Sequence, residues 1–68
     1  MAITETGKRL MDEMLEHTDE VREMAGVAAC LNEEQQKILL KWLKKTPNAT
    51  RHQIVLKAYH ISELGETD

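Results

Sequence analysis

The chain has 68 residues, 12 acids against 9 bases, and a net charge of −3. That length suits one domain, and a chain so short buries only about 60% of the surface its unfolded form exposes. A single cysteine rules out an internal disulfide, and a composition 41% hydrophobic and 31% charged is too apolar for a fully disordered chain and too polar for a membrane protein.

The longest uncharged apolar run, Met24 to Leu31, is eight residues, whereas a membrane span needs about 20. No basic region followed by an apolar stretch opens the chain, so the expectation is a cytoplasmic protein without a leader. The charge is unevenly spread. Residues 1–31 hold seven acids and three bases, residues 32–60 two acids and six bases, and residues 61–68 three acids. Opposite signs in the first two stretches suit two halves that complement each other within one bundle. They also suit a basic middle that meets an acidic partner.

No segment alternates apolar and polar residues as a half-buried strand would, so every element reads as helix. The first covers about residues 4–31. Gly7, Met14, Val21 and Ala28 take one seam position of a heptad, and Leu10, His17, Met24 and Leu31 take the other. Met11, Leu15 and Ala25 widen the stripe, which suits a bundle better than a two-stranded seam. Thr18-Asp19 offers a fresh cap, and Gly26 costs a helix about 1 kcal/mol relative to Ala. The segment is therefore one long helix, or two short ones broken near residue 18.

The second element covers 33–45. Asn32 and Gln35 form a capping box, Glu33 and Glu34 favour the positive end of the helix dipole, and Lys41, Lys44 and Lys45 favour the other. Ile38, Leu39, Trp42 and Leu43 make the apolar face. Lys37, Lys41, Lys44 and Lys45 lie opposite, with Leu40 beside them. Pro47 pushes Thr46 toward an extended conformation and ends the helix. The third element covers 51–64, opened by a second capping box of Thr50 and Gln53. Its inner face is Ile54, Val55, Ala58, Tyr59 and Ile61, with Leu56 about 150° away. Gly65 is the stop signal, and residues 66–68 are expected to fray. The expected fold is all-α, a small bundle of three or four helices over residues 1–68.

Catalytic chemistry finds little to work with. Cys30 sits in Val27-Ala28-Ala29-Cys30-Leu31, which predicts a buried, inert thiol. Ser62, the lone serine, has no nucleophile elbow around it, and the three glycines are too scattered for a phosphate loop. Asp12, Glu13 and Glu16 lie outside the apolar stripe, as a solvated face does. A non-enzyme is expected, with no catalytic residue and no cofactor. No metal is expected either, since His52 and His60 are eight residues apart and Cys30 has no second cysteine. His17, on the heptad seam, reads as a half-exposed histidine at a helix break. The alternative is a pH-sensitive interface.

Lys41, Lys44, Lys45, Arg51 and Lys57 are the candidate phosphate contacts. The stretch from Ile38-Leu39-Leu40-Lys41-Trp42-Leu43 through Lys44-Lys45-Thr46-Pro47-Asn48-Ala49-Thr50, then Gln53-Ile54-Val55 and Ile61-Ser62, resembles the opening of winged-helix and related helix-turn-helix domains. In those domains a first helix ends in a proline-containing turn and a Thr-capped second helix follows. An Ile-Ser or Val-Ser pair then opens the recognition helix. The resemblance spans residues 38–62 and implies a DNA-binding transcriptional regulator. The chain departs from the pattern in a Gln53-to-Ser62 spacing one residue longer than usual and in Val55, where a small residue is expected. Only six residues follow Ser62, three of them acidic, so a relative of these domains would lack its recognition helix.

The leading expectation is a small regulatory or inhibitory protein that works by protein–protein contact, with no membrane role. Compact acidic helical proteins without chemistry are common among accessory factors of phage and mobile elements, a compositional analogy. With no Phe, one Trp and one Tyr, a monomeric core rests on Trp42, Tyr59 and aliphatics, and pairing through the first segment would relieve the shortage. A homodimer is therefore expected. Its predicted interface, or that with another protein, is Leu10, Met11, Met14, His17, Val21 and Met24. The competing expectation is the DNA-binding regulator.

Overall fold

The structure, a computed structural model, describes residues 4–65. It is all-helical: α1 is Glu5–Leu15, α2 Val21–Cys30, α3 Glu33–Lys45 and α4 Arg51–Leu64, with no strand among the described residues. The expectation of fraying at residues 66–68 lies outside that range.

The capping residues set the helix starts. The Thr4 hydroxyl accepts the Gly7 N–H at 3.0 Å and opens α1. At α3, Asn32 Oδ1 accepts the Gln35 N–H while Gln35 Oε1 accepts the Asn32 N–H, and Thr50 and Gln53 repeat the exchange at α4. Gly65 closes α4 in the left-handed region, φ 66°, which a residue with a Cβ adopts only with strain.

The first segment takes the broken form. The Glu16 and His17 N–H groups bond to the carbonyls of Glu13 and Met14, tightening the last turn of α1. The Thr18 hydroxyl then accepts the Glu20 N–H at 3.2 Å, and α2 begins at Val21, whose flanking Glu20 makes no side-chain cap. Thr18-Asp19 thus orders the turn and does not itself cap α2. The heptad spacing survives the break because both short helices turn the same face inward, Leu10 and Met14 from α1 and Met24 and Ala28 from α2.

One core joins all four helices. Leu10, Met14, Met24, Leu39, Leu43 and Ile54 are fully buried, Ile61 nearly so, and Leu31 and Ala49 are buried from the connections. Each of the larger side chains stabilises the fold by about 1.5–3 kcal/mol through burial. The radius of gyration, 10.6 Å, is close to the roughly 11 Å of any folded chain this long. The core therefore closes within a single chain. That overturns the expectation of a seam left open for a partner. Two further expectations change with it. Leu40, placed beside the lysines, is partly buried against the core, and Tyr59, placed on the inner face, is 55% exposed. Trp42 packs at the core's edge, and Lys57 Nζ lies 6.0 Å from its ring.

Helix α1 packs most extensively on α3, then on α2, and α3 packs on α4. Helices α2 and α4 barely touch, so the ring of helices has one loose side.

Candidate protein-contact site

Of the predicted interface residues, Leu10, Met14 and Met24 have no exposed surface and belong to the core. They cannot meet a partner while the chain is folded. Met11 is partly buried against the same core. Only Val21, 53% exposed, presents a side chain to solvent. His17 sits half-buried in the turn between α1 and α2, as the helix-break reading expects. Its Nδ1–H donates to the carbonyl of Ala49 at 2.9 Å. That bond ties the α1–α2 turn to the α3–α4 turn, and Ala49 itself is buried.

The basic residues divide. Lys37, Lys41, Lys44 and Lys45 are exposed along α3. Arg51 is exposed but bonded through Nη1 to Glu23 Oε1 at 2.6 Å, joining the start of α4 to the start of α2. The hydrogen bond and charge of Glu23 raise the Arg51 pKa, which deepens a cationic state already permanent. Lys57 is half-buried near Trp42. The five candidate phosphate contacts therefore do not share one surface free of competing groups. At Ile61-Ser62, where the helix-turn-helix resemblance places the start of a recognition helix, α4 runs on without a break. The Ser62 hydroxyl donates to the Tyr59 carbonyl at 3.3 Å, within the helix.

A concave feature lies on the loose side of the bundle. A groove of about 660 Å³ runs between α2 and α4, open to solvent along its length. Gly26, Val27 and Cys30 form one wall and Val55, Ala58 and Tyr59 the other, with Leu31 and Gln35 at the end nearest α3. Gly26 has no atom within 4 Å of where a Cβ would stand, so a side chain there would enter open space. Ala25 and Ala29 leave the adjoining face of α2 low and exposed. Cys30 is exposed at the rim, contrary to the buried thiol expected from its apolar neighbours. Its neighbours Ala28 and Leu31 turn inward to the core, which leaves Cys30 on the outer side.

No residue lining the groove is a histidine, so Cys30 has no imidazole base there. Among the described residues no three His, Cys, Asp or Glu side chains stand where they could share a metal ion. No helix among them is long and apolar enough to cross a membrane. The groove was missed in the sequence because Val55, Ala58 and Tyr59 share a helix stripe with Ile54 and Ile61, and spacing alone cannot say which part of a stripe a neighbour covers. The run of small residues in α2 was the available signal. No protein-family model, curated protein or solved structure matches the chain.

Proposed function

We propose that this is a small, non-catalytic regulatory or inhibitory protein that acts by contact with another protein chain, and that the α2–α4 groove is the contact surface. The observation that carries the reading is the groove itself. It is apolar, open, and edged by an exposed tyrosine, with no convergent catalytic set in its walls. Tyrosine at such a site offers a large contact area for little lost side-chain freedom. The open space beside Gly26 leaves room for an apolar helix face, in the manner of helix-in-groove recognition. Regulation then follows from steric occupancy of the bound chain.

A second reading, the DNA-binding regulator of helix-turn-helix type, draws support from the exposed lysines of α3, chiefly Lys41, Lys44 and Lys45.

The test is a tagged pull-down with and without nuclease, repeated with Tyr59→Glu. A protein chain held in stoichiometric amount after nuclease digestion, and lost on Tyr59→Glu, is the expected result. Recovery of nucleic acid alone, with Lys44 replacement abolishing it, would overturn the contact reading in favour of the second.

A further inference from the structure

Helix α2 is the least secured of the four. It spans 10 residues, and an isolated helix shorter than about 12–15 is marginal in water. Its flanking Glu20 makes no side-chain cap, whereas Thr4, Asn32 and Thr50 cap the other three. Gly26 stands in its middle, and nothing fills the space a Cβ would take. The glycine therefore weakens the helix without relieving any crowding. Met24 and Ala28 are the side chains α2 buries.

The other three helices hold together without it. Helices α1 and α3 run side by side in the same direction and are pinned at both ends. The Thr6 hydroxyl donates to Glu33 Oε2 at 3.2 Å where they start, and His17 donates to the Ala49 carbonyl at 2.9 Å beyond where they finish. Helix α3 packs in turn on α4. Neither packing includes α2, which lies on α1 and barely touches α4. Polar ties add to Met24 and Ala28. Gln36 Nε2 donates to the Ala28 carbonyl at 2.8 Å, and Glu23 pairs with Arg51 at the surface, where salt screens an ion pair and its contribution is small. The chain can also span the gap without a folded α2. From His17 it must return along α3, 13 residues and so about 20 Å long, and residues 18–32 fully extended reach about twice that distance.

We infer that α2 is a flap, which undocks and unfolds locally while α1, α3 and α4 keep their fold. The groove then has one movable wall, α2, and one fixed wall, α4. Docked, α2 closes the core. Undocked, it uncovers the apolar face on which Met24 and Ala28 sit, a surface the closed chain does not present. Moving elements are drawn from the least stable part of a fold, and α2 is that part here. The inference concerns the chain alone and holds whatever the groove meets.

Native-state hydrogen exchange of the full chain, followed residue by residue, tests this. Amides in the middle of α2 should be protected at least about 10-fold less than the best protected amides of α3 and α4, with a weaker dependence on low urea because local opening exposes little surface. Gly26→Ala should slow exchange in α2 about 5-fold, since the new methyl group enters open space. Lys37→Gly, on the exposed face of α3, should speed the slowest amides of α3 and α4 about 5-fold and leave α2 unchanged, because α3 stays folded when α2 opens. Protection in α2 equal to that in α3, acceleration of α2 by Lys37→Gly, or indifference of α2 to Gly26→Ala would overturn the flap. None of these outcomes depends on the pull-down, so the contact reading of the groove stands or falls separately.

Discussion

Helices α3 and α4 begin alike and end differently. Each opens with a capping box whose third residue is a glutamine, and each runs for three to four turns. Yet α3 buries Leu39 and Leu43, packs Ile38, Leu40 and Trp42 against the core, and carries its charges in the sense its dipole favours. Helix α4 buries Ile54, Ala58 and Ile61 but leaves Leu56 44%, Tyr59 55% and Leu64 68% exposed, with its charges reversed. The difference comes from their neighbours. Helix α3 lies between α1 and α4, whereas α4 has α3 on one flank and the groove on the other. Capping decides where a helix starts. What covers it is decided by the rest of the chain, and for α4 the chain supplies only half a cover.

The largest test of that contrast is truncation of matched leucines. Leu39→Ala in α3 should cost about 2–5 kcal/mol in urea unfolding, the range for a fully enclosed leucine. Leu56→Ala in α4 should stay within about 0.5 kcal/mol, as at an exposed site. Equal costs would mean that α4 is as well covered as α3. Next comes His17→Ala, which removes a part-buried bond to the Ala49 carbonyl. It should lower stability by about 1–3 kcal/mol, read as an earlier urea midpoint with unchanged slope.

The caps should be equivalent although the helices are not. Asn32→Ala and Thr50→Ala should each cost about 1 kcal/mol. A much smaller loss at Thr50 would show that α4 depends less on its own start than α3 does. Smallest are the dipole charges. Lys44→Glu should destabilise α3 by about 0.3–1 kcal/mol at low ionic strength, while Glu63→Arg should stabilise the monomer by a similar amount, both effects fading with salt. Opposite signs in the thermal midpoints of these two charge reversals, measured at concentrations where the chain is monomeric, would sharpen the comparison. The same sign would break it.

Much of the fold was legible before any coordinates. Asn32 with Gln35, Thr50 with Gln53, Pro47 and Gly65 located the ends of α3 and α4, because each acts through atoms within a few residues. The 3–4 spacing put Leu10, Met14, Met24 and Leu31 on one apolar face, and the structure buries all four, although Val21 in the same pattern is 53% exposed. It could not say that they face one another across a break, because a reversal that keeps the inner face inward leaves the spacing unchanged. Assigning those residues to a partner followed from expecting too thin a core, when Leu40, Leu31 and Ala49 in fact help to close it. The candidate site was the less legible part. Tyr59 and Val55 differ from Ile54 only in which side of α4 a neighbour occupies, and Cys30 lies among apolar residues in sequence yet is exposed at the groove's rim.

By itself the sequence determined an all-helical chain, the starts of α1, α3 and α4, and which side chains are too apolar to stay in water. These follow from local hydrogen bonding, proline and glycine geometry, and periodicity. Only the tertiary structure decided that the first segment folds back on itself, that His17 links two turns, and that α2 and α4 stand apart around an open groove. Those features depend on contacts between residues far apart in the chain, where a helix's pattern defines a stripe and packing alone selects the part that is buried.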